Sequence, residues 1–243
     1  FISPDGMRFY FFFTPDATIP AQQQLTDEVT GIWVSEKING EWAEATRVSL
    51  IEDTGLSLDG CAYVSPEEIW FCSARLGNYK DIDFWVGTLT EDGVVDVRNA
   101  GEELNTEVGV GELHITPDGN TIYYHSDAEG GKGGMDVWAV EREGESWREP
   151  YNVETVNSPD NEGYPYISPD GTEMWINKWY MGSPCTFRSR LVDGEWTTPE
   201  LIISNFAGEP NLDAEGNIYF VHHYFEDGKM IEADIYVAYK KTS

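Results

Sequence analysis

The stretch Ser168-Pro169-Asp170-Gly171, followed closely by the run Met174-Trp175-Ile176, decides how this chain folds. Proline at the second place fixes φ near about −65° and glycine at the fourth relaxes the exit, so the tetrapeptide is a tight-turn signal. The run after it contains aromatic and β-branched residues, which is typical of a strand. Together they predict a turn that opens a β-strand.

The same unit recurs five times along the 243-residue chain. A second run follows each strand after a polar loop, as in Asp136-Val137-Trp138-Ala139, and most units then carry a Gly-Trp segment such as Gly194-Glu195-Trp196. Four antiparallel strands in about 45 to 50 residues are the size of one propeller blade. The unit anchors are spaced 62, 51, 52 and 45 residues apart and begin at Ser3, Ser65, Thr116, Ser168 and Asp213.

We therefore predict an all-β fold, a β-propeller of five blades of four-stranded antiparallel sheet. The aromatic content of 14% supplies side chains that blades bury against each other. The fifth unit stops after its third strand, so the last blade is expected to be incomplete or to be closed by an N-terminal strand. The prediction is a single domain over residues 1–243, with blades at about 1–57, 58–108, 109–160, 161–205 and 206–243.

These units resemble the WD40-like propeller repeat of the TolB kind. The resemblance is strongest at Thr116-Pro117-Asp118-Gly119 and at the Ser168 anchor, and weakest at Asp213-Ala214-Glu215-Gly216, which lacks both Ser and Pro. Thr186 also departs, because it stands where other units tend to carry Asp. The resemblance implies a propeller, often a secreted or periplasmic one, and it implies no particular activity.

The net charge of the chain argues against one class of function. Lys and Arg number 15 against 44 Asp and Glu, for a formal net charge of −29, which disfavours nucleic-acid binding.

No run of eighteen apolar residues and no signal peptide occurs in this sequence, so no membrane span is expected. The acidity suits an extracytoplasmic protein, periplasmic, secreted or at the cell surface; the other explanation is binding of Ca²⁺ or another divalent cation. No cofactor is certain.

Three cysteines are too few for a disulfide scaffold and form no CxxC zinc motif. Cys61 and Cys72 flank a predicted tight hairpin. Two alternatives stay open for this pair, a cross-strand disulfide or two small buried thiols. Cys185 stands apart from both.

Candidate ligand-binding residues come from one register of the innermost strands. These are Tyr63, His114, Tyr166 and Asn211, and two places earlier stand Cys61, Glu112, Tyr164 and Glu209. Strand alternation would put both sets on one face, nearest the propeller axis. Glu112, His114 and Glu209 are the metal-ligand candidates, and Trp179, in a top loop, is a candidate for stacking on a sugar. The alternative is side chains that hydrogen-bond neighbouring backbone or water.

The catalytic candidates are Glu112 and Glu209, as carboxylates paired across a glycosidic bond, with His125 or His222 as an acid/base group. Isolated structural histidines are the other interpretation. Two functions follow. The first is a non-catalytic extracytoplasmic binding or scaffold module that presents top-face loops to a protein or glycan. The alternative is a carbohydrate-active hydrolase or lyase with a site at the top of the central channel.

Several loops and one edge complete the predictions. Thr14–Thr30 is expected to be a lid, a partner contact or an insertion, and residues 179–184 and 223–233 are expected to be variable loops. The glycine run Gly130–Gly134 predicts a flexible hairpin loop, because no helix follows it to hold a phosphate. The strand Asp234–Tyr239 is expected to have an open edge that permits strand exchange.

Overall fold

The computed structural model describes residues 1–50, 56–105 and 110–241. These residues form five antiparallel sheets in chain order, one four-residue helix and two short 3-10 helices. The all-β, five-bladed propeller class predicted from the repeat is confirmed, and we call the sheets blades 1 to 5. No helix in the described ranges is long and apolar enough to cross a membrane.

The chain divides into two compact units, Phe1–Val110 and Gly111–Ser243. The prediction of a single domain stays a prediction. The first unit holds blades 1 and 2, and a core of Tyr10, Ile32, Leu50, Val64, Ile69, Phe71 and Trp85. Blade 1 consists of β1 Arg8–Phe13, β2 Gly31–Ile38, β3 Glu41–Trp42 and β4 Thr46–Arg47; blade 2 consists of β5 Leu58–Val64, β6 Glu68–Ala74, β7 Asp83–Thr90 and β8 Gly93–Asn99. The helix α1 spans Glu102–Asn105.

The second unit contains blades 3 to 5. Its core joins residues of blades 3 and 4, among them Tyr123, Val137, Ile167 and Ile176. Blade 3 consists of β9 Val110–Ile115, β10 Thr121–Ser126, β11 Asp136–Glu143, β12 Ser146–Trp147 and β13 Tyr151–Asn152. Blade 4 consists of β14 Glu162–Ile167, β15 Glu173–Tyr180, β16 Ser183–Val192, β17 Glu195–Trp196 and β18 Glu200–Ile203, and blade 5 of β19 Ala207–Leu212, β20 Ile218–Glu226 and β21 Lys229–Ala238.

The predicted anchor turns are stabilised by their own side chains. The Ser168 hydroxyl donates to Asp170 Oδ1 at 2.6 Å and accepts from the Glu173 N–H at 2.9 Å, while the Gly171 N–H donates to the Ser168 carbonyl at 2.8 Å. The hydrogen bond from Ser168 holds the pKa of Asp170 below its usual value. These carboxylates are therefore structural. The same arrangement closes the turns at Ser3 and Thr116.

The aspartate that opens the third strand of blades 2 and 3 is structural as well. Asp136, which is buried, accepts the N–H groups of Lys132 and Gly133 and the side-chain amide of Asn152. In blade 2, Asp83 accepts the Tyr79 N–H at 2.8 Å in the same way. Blade 4 has Thr186 at this place, and its hydroxyl donates to the Ala207 carbonyl at 3.1 Å, which explains the departure from Asp.

The glycine run 130–134 lies in the hairpin loop between the antiparallel strands β10 and β11, as predicted, and Gly133 packs closely against the backbone of Ser158 and Asp160. The flexibility of this loop stays a prediction. A Cβ on Gly133 would overlap the Asp160 carbonyl oxygen and lie 2.9 Å from the Ser158 carbonyl oxygen. The N–H groups that a phosphate would need already bind the Asp136 carboxylate. The glycines are needed for this close approach of two backbone segments.

Two loops predicted near the ends of long strands are in fact tight hairpins. Residues 179–184 and 223–233 lie mostly in strands, because β15 meets β16 through Met181-Gly182 and β20 meets β21 through Asp227-Gly228. Both residues of each turn have positive φ, 51° and 87° in the first and 49° and 75° in the second. Such two-residue turns match the twist of the strands, and Asp-Gly is a strong sequence signal for them.

Two further predictions concern residues 14–30 and the outer edge of blade 5. Residues 14–30 contain 3-10 helices at Ala21–Gln23 and Leu25–Asp27, and Gln24 Nε2 donates to the carbonyls of Asp16 and Ile19 at 2.8 Å. Blade 5 has three strands, and within the described ranges β21 pairs with β20 alone, as expected of an incomplete blade. Strand exchange at this edge stays a prediction.

Cys61 and Cys72 are not joined by a disulfide, so the structure does not form the bridge that one alternative allowed. Cys72 lies opposite Gly60 rather than opposite Cys61. Cys61 occupies an irregularity of β5, which takes it out of register with β6.

Candidate ligand-binding site on the fourth and fifth blades

A β-bulge interrupts the innermost strand of blades 2, 4 and 5. Pairing shifts by one residue between Gly60 and Tyr63, between Gly163 and Tyr166, and between Gly208 and Asn211. The residue after each of these glycines has a left-handed backbone, as Glu209 does with φ 53°. The prediction that strict alternation puts both candidate sets on one face is therefore wrong, because a bulge adds one residue and re-aims its side chain.

The bulge glycines make room for side chains of the preceding blade. A Cβ on Gly163 would lie 2.9 Å from His125 Nδ1 of blade 3, and a Cβ on Gly208 would lie 3.1 Å from Asn177 Nδ2 of blade 4. Glycine is thus required where a polar side chain from one blade contacts the inner strand of the next.

His114 and His125 use this closeness to join blade 3 to blade 4. The Ile167 N–H donates to His114 Nδ1, and the Tyr164 N–H donates to His125 Nδ1, both at 3.3 Å. Burial lowers the pKa of His114 to about 3 and that of His125 to about 4. Both rings are neutral at physiological pH, and their Nδ1 atoms are acceptors. A general acid or base needs a pKa near the working pH, which neither ring has.

The other innermost-strand candidates have structural contacts. The Tyr63 ring lies 5.0 Å from that of Phe1, and burial raises the pKa of Tyr63 to about 12. The Tyr166 hydroxyl donates to the Leu212 carbonyl at 3.2 Å. Asn211 is half-buried opposite Tyr219 in blade 5, and Glu112 is half-buried in β9 with φ 33°.

Glu209 lies beside His223, a residue outside the predicted set. Glu209 Oε1 is 3.1 Å from His223 Nε2, the Glu209 side chain is 37% exposed, and His223 is buried. The His223 N–H donates to the Phe206 carbonyl at 2.7 Å, which fixes the strand that carries the ring. His223 Nε2 is buried and makes no hydrogen bond within the described part of the chain. The carboxylate is close to the ring nitrogen, but the two form no hydrogen bond.

Asn177 of β15 reaches the same place. The Cβ position of Gly208 is 3.1 Å from Asn177 Nδ2 and 3.3 Å from His223 Nε2, so the amide and the imidazole both border the space beside this glycine. Asn177 Oδ1 is buried and has no hydrogen-bond partner among the residues described. Glu209, His223 and Asn177 form a polar cluster, which we call the 209/223/177 cluster.

Trp179 stands next to this cluster on the same strand. It follows Asn177 by two residues in a regular stretch of β15, so the two side chains lie on the same strand face. All nine tryptophans lie in the described ranges, and Trp179, at 46%, is the one that is exposed. An aromatic surface is thus available beside convergent polar atoms.

His222 is on the other face of β20. Its Nδ1 lies 3.1 Å from Glu232 Oε1, and the Tyr236 hydroxyl donates to that same oxygen at 3.0 Å. The described contacts of His222 and His125 therefore do not bring these two histidines together, and those of Glu209 lead to His223 rather than to Glu112. In the described ranges no group of three or more His, Cys, Asp or Glu is placed to hold a metal.

The five sheets define the chain as a β-propeller protein, and comparisons with solved structures agree. TolB from Acinetobacter baumannii is 13% identical with a TM-score of 0.54, over 96% of this chain and 54% of that one. An endo-arabinase from Bacteroides thetaiotaomicron is 12% identical with a TM-score of 0.55, over 99% and 93%. A gluconolactonase from Xanthomonas campestris is 15% identical with a TM-score of 0.50, over 85% and 64%.

These likenesses show the fold alone. This chain spans about half the length of the TolB structure. No family model and no curated protein matches the sequence.

Proposed function

We propose that this protein is a non-catalytic, extracytoplasmic propeller module of the TolB-like kind that binds a glycan beside Trp179. The observation that carries the proposal is the exposed Trp179 ring on the same strand face as Asn177, which is a member of the 209/223/177 cluster. Sugars offer an apolar ring face that stacks on an aromatic side chain and hydroxyls that bind polar groups at its border.

The strands that carry this site favour a preformed surface. β15 and β16 are joined by a two-residue turn, and they pair without irregularity from Glu173 to Tyr180. A rigid platform loses little conformational entropy on binding. The formal charge of −29 repels polyanions, so we expect an uncharged or basic glycan. The acidic surface and the TolB-like fold support a location outside the cytoplasm.

A carbohydrate-active enzyme is the second candidate, because Glu209 and His223 are 3.1 Å apart and could exchange a proton with a substrate. Against it, His114 and His125 have pKa values far below neutrality. The two functions differ in outcome: an enzyme releases new reducing ends from a bound oligosaccharide, and a binding module returns it unchanged.

The test is a glycan array followed by titration of any glycan that binds. Trp179→Ala should weaken binding about 30-fold, corresponding to about 2 kcal/mol for a lost aromatic platform. Tyr151→Ala is the matched control, because Tyr151 is also an exposed aromatic, in blade 3, away from Trp179. Equal losses in both variants, or binding that survives in Trp179→Ala, would overturn the proposed site. Saturable binding of a protein and of no glycan would replace glycan with protein as the ligand class.

A further inference from the structure

We propose that Glu209, His223 and Asn177 bind a first-row divalent transition-metal ion such as Zn²⁺. The inference goes beyond glycan binding and does not depend on it, because it rests on the geometry of the 209/223/177 cluster itself. Of these three residues, the sequence pattern predicts only Glu209 as a metal ligand.

The distance between the first two donors suits a shared ion. Glu209 Oε1 and His223 Nε2 are 3.1 Å apart. Two ligand atoms that each lie about 2.1 Å from one zinc ion are about 3.0 to 3.4 Å from each other. His223 Nε2 is buried and makes no hydrogen bond in the described ranges, although the carboxylate is so near. The two atoms therefore form no hydrogen bond with each other, and Nε2 is available to a third group.

Asn177 supplies the third donor. Its Oδ1 is buried without a hydrogen-bond partner in the described part of the chain, and its carboxamide lies against Gly208 beside His223. The structure places Nδ2 rather than Oδ1 against Gly208. A half-turn of the carboxamide exchanges the two atoms, so the proposal requires the orientation in which the oxygen faces the ion. Glycine at 208 is needed because a Cβ there would press on both the amide and the imidazole.

The donor set indicates the class of ion. One imidazole nitrogen, one carboxylate oxygen and one amide oxygen suit zinc or a neighbouring first-row metal, whereas Ca²⁺ and Mg²⁺ prefer oxygen ligands alone. Three protein donors leave a coordination position for water or a ligand oxygen. The formal charge of −29 would raise the local concentration of cations around the whole protein.

The chain contains a matched control. His222 Nδ1 and Glu232 Oε1 are also 3.1 Å apart, in the same blade but on the other face of β20. Tyr236 already donates to that carboxylate, and His222 Nδ1 forms a hydrogen bond with it. The same residue types at the same distance thus differ in whether the ring nitrogen already has a hydrogen-bond partner.

The experiment is calorimetric titration of the full chain with ZnCl₂ at neutral pH, in about 0.15 M NaCl and excess Mg²⁺ to occupy surface carboxylates. We expect one saturable site in the wild type. His223→Gln and Glu209→Gln should weaken it more than about 100-fold, beyond the 10- to 100-fold that residues outside the first ligand sphere typically cost. Asn177→Ala should weaken it at least about tenfold. His222→Gln and Glu232→Gln should leave the affinity unchanged within about twofold.

Three results would overturn the proposal: no saturable site for Zn²⁺ in the wild type, a site that persists in His223→Gln, or a site lost in His222→Gln. Circular dichroism of each variant separates loss of a ligand from loss of the fold. A crystal grown with Zn²⁺ gives a second readout, since anomalous scattering distinguishes a metal at Glu209 from the buried water that could fill the same space. Glycan binding measured with and without a chelator keeps the two proposals separate.

Discussion

The pH dependence of stability tests whether His114 and His125 are structural acceptors. Burial lowers their pKa values to about 3 and about 4, whereas an unfolded histidine has a pKa of about 6.5. Above pH 6.5 both states are neutral, and the full stability is present. As the pH falls below 6.5, the unfolded chain binds protons that the native rings do not bind. The free energy of unfolding therefore decreases progressively until the pH reaches the folded pKa values.

The size of the loss follows from the pKa differences. A pH of 5 lies about 1.5 pH units below the pKa of an unfolded histidine, and each pH unit changes the free energy of unfolding by about 1.4 kcal/mol per histidine. Each ring therefore removes about 2 kcal/mol between pH 7.5 and pH 5. His114→Gln and His125→Gln keep a side-chain acceptor and remove the titration. The gap in unfolding free energy between wild type and each variant should shrink by about 2 kcal/mol over this range.

The assay is urea unfolding of the wild type and both variants at the two pH values, so that the many carboxylates cancel in the comparison. The double variant is the control: the rings contact different residues, and its gap should shrink by about 4 kcal/mol. A gap that stays constant with pH, or that widens on acidification, would refute the account of both rings as buried neutral acceptors.

Gly133 and Asn157 give two further predictions about stability. Gly133→Ala should cost about 3 kcal/mol or more of unfolding free energy, because its Cβ would overlap the Asp160 carbonyl, while Lys132→Ala should cost less than about 1 kcal/mol. Asn157→Ala should cost about 2 to 4 kcal/mol, because it removes the side-chain acceptor of the buried Val137 N–H and one of the two donors to the Val137 carbonyl. Asn120→Ala, on an exposed turn, should cost under about 1 kcal/mol. Thermal or urea unfolding measures both pairs, and equal effects within a pair would contradict the packing argument.

The fold could be predicted because its signals are local and repeated. Each anchor turn carries its own hydrogen bonds, as Ser168 and Asp170 show, so the pattern and the structure coincide. The Asp-Gly hairpin at Asp227-Gly228 was equally visible in the sequence, and the loop predicted at 223–233 missed it.

The site could be predicted only in part. The sequence pattern predicts Glu209 and Trp179. It favours His222 rather than His223, and it does not indicate Asn177. The reason is the bulge at Gly208, which shifts the register within blade 5, and the contact between blades, which no spacing along one strand reveals. A glycine recurs at the same place in four innermost strands, as Gly60, Gly111, Gly163 and Gly208, and it was the available signal.

Binding of a ligand beside Trp179 can be observed through the indole N–H resonances of the nine tryptophans. A glycan that binds on the array is titrated into ¹⁵N-labelled protein, and the Trp179 resonance is assigned with Trp179→Ala. The account predicts that the Trp179 indole signal shifts saturably, with the same affinity as the array titration, while that of buried Trp138 stays in place. Saturable binding that leaves the Trp179 signal unmoved would contradict it.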